Sequence, residues 1–76
     1  VATYVYTVIE STKFEGDTLL GVASSSRAGK KIAARHVHGD ASYRMNWTFD
    51  RASHTFTAQG SYRDIEVYVT RTKVED

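Results

Sequence analysis

Ala41, Tyr43, Met45, Trp47 and Phe49 alternate with Ser42, Arg44, Asn46 and Thr48 along "ASYRMNWTF". Side chains of a strand point to opposite faces with a period of two. The spacing therefore predicts a strand over 41–49 with one packed and one wet face. Its aromatic content makes it the expected main contributor to the core. "DRAS" (50–53) reads as a polar turn and "HTFTAQ" (54–59) as the returning strand, a hairpin with a four-residue loop. Gly60 then shifts the phase. Phe56 and Ala58 share a face before it, and Ile65, Val67 and Val69 share a face of opposite parity after it. A bulge or tight turn is expected there, so 54–72 is either one bent strand or two strands meeting at Gly60. "VATYVYTVIE" (1–10) is rich in Val, Tyr, Thr and Ile and predicts a further strand, with faces Val5/Thr7/Ile9 and Tyr4/Tyr6/Val8. Both faces are apolar enough that the pattern does not choose between them.

Over 18–38 the period changes. Leu19, Val22, Ala23, Ser26, Lys30, Ala33 and Val37 recur at steps of three and four, which predicts a helix with one small-residue stripe. Asp17 suits its N-cap and Gly39 the position just past its end. Gly21, Gly29 and the Ser24-Ser25-Ser26 run argue for fraying or a break near 26–29. A strand reading gives no apolar–polar split over 32–38, so the helix is preferred. The expected order is β-α-β-β, with room for a fourth strand: an α+β domain in which one helix packs on one face of an antiparallel sheet of three to four strands. The first strand is expected to pair with the C-terminal one. That leaves 41–49 at one sheet edge and the first strand at the other.

Length narrows the picture. A chain of 76 residues reads as one small domain (1–76), burying only about 60% of the surface its unfolded form exposes. There is no cysteine, so disulfides and thiolate metal sites are excluded and stability must come from packing, oligomerisation or both. The 41% hydrophobic and 25% charged residues describe a globular chain rather than a disordered one. No apolar run approaches the ~18 residues of a membrane span, and no signal-peptide pattern is read. Cysteine usage leaves the compartment open.

Candidate chemistry is sparse. His36-Val37-His38-Gly39-Asp40 has the H-x-H-x-D spacing, which resembles the metal-binding signature of metallo-β-lactamase-type hydrolases, but Ala41 stands where a final histidine belongs. On a helix, positions i and i+2 point about 200° apart, so the expectation is no metal: two imidazoles and Arg35 meet the partial negative charge of a helix C-terminus. "RAGKKIAAR" places Arg27, Lys30, Lys31 and Arg35 in a stretch with no acid between Asp17 and Asp40. These four are the candidate polyanion-binding residues, by phosphate contact with stacking on sheet tyrosines. Against them stands a net charge of only +1. "GVASSSRAGKK" lacks both the spacing and the final Ser/Thr of a phosphate-binding loop. Asn46-Trp47-Thr48 is a formal glycosylation sequon inside an expected strand. Asp64 and Glu66, about 7 Å apart on one strand face, read as acids that guard an edge rather than as a catalytic pair.

The joint "AARHVHGDASYRM" (33–45) resembles the helix-glycine-strand joint of small bacterial periplasmic β-α-β-β modules of the YdgH/BhsA type. The likeness spans about a dozen residues of general helix-to-strand grammar, and it carries over no functional residue. The expected role is non-enzymatic and cofactor-free: a binding or assembly module that self-associates, or joins another protein, through apolar sheet surface or edge strands. Tyr4, Tyr6 and Tyr68 are its candidate interface residues. The alternative is a nucleic-acid-binding domain built on the basic helix and the tyrosines. No membrane role is expected.

Overall fold

The computed structural model describes residues 3–60 and 64–74. The chain runs β1 (Thr3–Thr12), β2 (Gly16–Ala23), α1 (Ser26–His38), β3 (Thr48–Asp50), β4 (Thr55–Gln59) and β5 (Ile65–Val74). The result is a small α+β fold with one helix and a five-stranded sheet in the order β2-β1-β5-β4-β3, every neighbouring pair antiparallel. The longest pairing joins β1 to β5, from Thr3↔Val74 to Thr12↔Ile65, as expected for the first and last strands. The edges are β2 and β3, so the first strand is not an edge.

The largest correction concerns 18–38. Its first third is a strand. β1 turns through 13–15 to Gly16, whose φ of 84° needs a residue without a Cβ, and β2 returns along β1. A bulge between Val8 and Ile9 sets Leu20 out of register. Thus Leu19 and Val22, three residues apart, both lie on the face away from the helix, opposite Ile9 and Thr7. An i, i+3 step can satisfy a bulged strand as well as a helix, and this ambiguity misassigned them. The helix begins instead at the serine run. Ser25 is extended (φ −146°, ψ 160°) and its Oγ accepts the Ala28 N–H at 3.1 Å. Serine competes with the helical backbone in a helix interior but caps it well at the start, so Ser25, not Asp17, is the cap. The C-terminus is as expected: Gly39 is left-handed (φ 72°) and donates to the Arg35 carbonyl at 2.9 Å.

The buried face of α1 is Gly29, Ala33 and Ala34. It lies close on β1 and β5: a Cβ built on Gly29 would meet Val69 Cγ1 at 2.8 Å and Val8 Cγ2 at 3.4 Å. Val8, Ala33, Val67 and Val69 form the core cluster, ringed by Tyr6, Leu20, Ile32, Met45, Trp47 and Phe56. Paired strand residues share a face, so Tyr6 and Val8 sit under the helix while Val5, Thr7 and Ile9 look out of the other side.

The segment 41–49 is mostly not a strand. Only Thr48–Asp50 pairs with β4, and 43–47 runs without ladder bonds beside the helix. The alternation was right about direction for Met45 and Trp47, which pack on the core, but Tyr43 (51% exposed) and Phe49 (41%) do not join it. Alternation reports which way side chains of an extended chain point; it carries no information on whether a partner strand is within reach. Gly60 ends β4 by donating to the Ile65 carbonyl at 2.8 Å, so 54–72 holds two strands. The remainder of that turn, 61–63, lies outside the described residues. No described helix is long and apolar enough to cross a membrane.

Candidate functional site

Residues 41–47 fold back along the first half of α1, leaving a groove of about 330 Å³ between helix and loop. The helix supplies Arg27, Lys30 and Lys31 to it; the loop supplies Tyr43, Arg44 and Trp47. Three of the four basic residues singled out from the sequence therefore meet in one place. Arg35 does not line this groove. Arg44 was missed because the alternation assigned it to the wet side of a strand, and nothing in the local pattern shows that the segment doubles back beside a basic helix.

Each wall has a local cause. Lys30 is half-buried, with Nζ 3.7 Å from the Phe56 ring centroid and 5.9 Å from that of Trp47. This cation–π seat holds its charge at the groove floor. Tyr43 is set by the turn that follows Gly39. The Asp40 carboxylate accepts the Ser42 N–H (2.9 Å) and O–H (2.7 Å), and the Tyr43 N–H donates to the Asp40 carbonyl (3.1 Å). The two bonds from Ser42, side chain first, hold the Asp40 carboxyl below its usual range. One face of the Tyr43 ring stacks on His38, with centroids 3.8 Å apart and planes 23° apart. The ring nevertheless remains half exposed.

The electrostatics of the groove are one-sided. No acid lines it and none occupies the first turn of α1, whose free N–H groups add partial positive charge. Among the described residues the closest contact between a basic and an acidic side chain lies elsewhere, His36 Nε2 to Glu10 at 3.1 Å. Arg27, Lys30, Lys31 and Arg44 thus face the groove without a carboxylate neutralising them. The net charge of +1 conceals this segregation, since acids cluster instead around the β1–β2 turn and the start of β5, where Glu15 and Asp64 line a separate depression.

The remaining candidates separate. His36 turns to Glu10, His38 stacks on Tyr43, and Asp40 caps its own turn. Among the described residues no group of three or more His, Asp or Glu side chains is placed to hold a metal. Gly21 lies in β2 and Gly29 in α1, so 21–31 is not a loop. Asn46 is exposed outside any strand. Glu66 accepts the Tyr68 O–H at 2.6 Å, which, with partial burial, pushes the phenol above its usual range. The three candidate tyrosines do not share a surface. Tyr6 lies under the helix and Tyr4 under the Arg71 guanidinium (4.5 Å) on the helix side, whereas Tyr68 is on the opposite face.

No family model matches the chain, and no curated protein or solved structure is found to be similar to it.

Proposed function

We propose that the protein is a non-enzymatic binding module whose groove between α1 and 41–47 takes a short stretch of single-stranded nucleic acid. The observation that carries this reading is the convergence of Arg27, Lys30, Lys31 and Arg44 on a groove without acids, beside a tyrosine ring backed by His38. Phosphates would lie against the cations, and one base would stack on Tyr43. A recessed groove with an aromatic platform fits a strand with bases better than it fits a flat anionic bilayer. Neutralising three or four phosphates on a single strand gives a log–log salt slope of about −2 to −3. Stacking on one ring adds about 1–3 kcal/mol. The expected affinity is therefore weak and salt-sensitive.

Trp47 is the chain's only tryptophan and lines the groove. Titrating a short oligothymidylate and a short oligoadenylate against its fluorescence tests the reading directly. Binding should weaken as salt rises, fall in Lys31→Ala and Arg44→Ala, and fall about tenfold or more in Tyr43→Ala, in line with a lost stacking contact. If inorganic polyphosphate bound as well as the oligonucleotides and Tyr43→Ala changed nothing, the groove would be a generic anion site and this function would be wrong.

A further inference from the structure

The helix and the 41–47 segment cover one side of the sheet; among the described residues no element covers the other side, and its middle is uncharged. Cross-strand register defines two rows on it: Leu19, Ile9, Tyr68, Thr57 and Thr48, then Val22, Thr7, Thr70 and Thr55. The charged strand residues on this face are Asp17, Asp50 and Glu66, all near strand ends, and beside Ser11, Glu66 and Tyr68 the adjoining turns add Lys13 and Asp64. Arg71 and Lys73, by register, lie on the helix side with Tyr6 and Tyr4. A wet sheet face normally carries both signs of charge along its strands, since about a quarter to a third of a soluble surface is charged. Here the middle carries none, although the chain is 25% charged overall. The threonine hydroxyls also bond among themselves, with Thr55 and Thr70 Oγ1 3.2 Å apart and Thr7 and Thr72 3.4 Å apart.

We propose that this face packs on the same face of a second copy, giving a two-sheet sandwich with a helix on each outer side. Three features select a second copy over a different partner. In a two-fold contact residues near the axis meet their own counterparts, so a charge at the centre would face its like, and the centre of this face has none. Its apolar side chains have no better cover within the chain: Leu19 is 61% exposed and Val22 55%. The chain's own core is thin, since its largest fully buried side chains are Val8, Val67 and Val69. At ~3.3 Å rise and ~4.8 Å strand spacing the five strands make a face of roughly 600 Å². Two copies would bury about 1,200 Å², the lower end for a specific interface. Both grooves would remain open on the outer sides.

Sedimentation velocity of the whole chain from about 5 µM to 1 mM tests this, a range that brackets micromolar affinity. A monomer–dimer equilibrium is expected that salt does not abolish, because the contact is uncharged at its centre. Nucleic-acid binding in the groove should instead weaken as salt rises. Leu19→Lys and Thr57→Lys lie in the same row on either side of Ile9 and Tyr68, and each should weaken the dimer tenfold or more while circular dichroism shows the fold retained. A chain that is monomeric throughout the range overturns the proposal. So does a dimer that both variants leave intact, which would place the contact on an edge strand or on the helix side.

Discussion

Gly29 shows how one residue can mislead and then explain. In sequence it counts against a helix by roughly 1 kcal/mol relative to alanine. In the fold it faces the sheet at close range, and its missing Cβ is what lets the helix approach Val69 and Val8. Gly29→Ala therefore gains helix propensity and loses the contact. The built Cβ would stand 2.8 Å from a fully buried valine methyl, and overpacking of a filled core costs about 1–3 kcal/mol. The clash outweighs the gain, and a net loss of about 1 kcal/mol is expected, read as a lowered urea midpoint in Trp47 fluorescence. An unchanged or raised midpoint would show that helix and sheet part easily. Other single residues were legible for sound reasons. Gly39 ends the helix because only its type adopts a left-handed backbone without penalty. The opposed directions of His36 and His38 follow from helical geometry alone.

At the scale of elements, residue type and period placed most strands and the helix end, but the most regular alternation, over 41–49, gave a ladder only at Thr48–Asp50. The strand character of 3–10 and 55–59, the turn between β3 and β4, the break at Gly60 and the C-terminal half of the helix all follow from residue type and period. What failed needed information from elsewhere in the chain. β2 was hidden because its bulge disguises a period of two, and 43–47 lacks a ladder because its neighbour on that side is a helix. The loop from 40 to 47 is nevertheless shaped, since Asp40 holds its turn by accepting from Ser42. A carboxyl whose pKa is lowered on folding contributes above its unfolded pKa, and that contribution is lost as pH falls through the lower folded value. The Ser42 amide shift should therefore titrate with a midpoint below that of a free aspartate. In Asp40→Asn, which keeps the acceptor, the turn should persist without titrating. A midpoint at or above the ordinary value would mean that the turn does not depend on this carboxylate.

At the scale of the whole molecule, one long-range expectation held: the first and last strands pair. It was legible because both are long and rich in β-branched residues, although the first strand was expected at an edge and lies inside the sheet. The strand count and the position of the other edge were not legible, because both depended on finding β2. The groove was half visible, as a run of cations without acids, and half invisible, because Arg44 and Tyr43 reach it only through the chain's return path. Thr3 and Val74 are register partners, about 5 Å apart between Cα atoms by antiparallel geometry. The described ends of the sheet's two long strands thus lie at neighbouring points. A circular permutant that joins 76 to 1 through a short glycine linker and opens the exposed turn at Arg51–Ala52 should fold with a native-like Trp47 spectrum. For the same reason, Thr3–Val74 seated in a surface loop of an unrelated host should ask that loop to part by little more than one strand spacing.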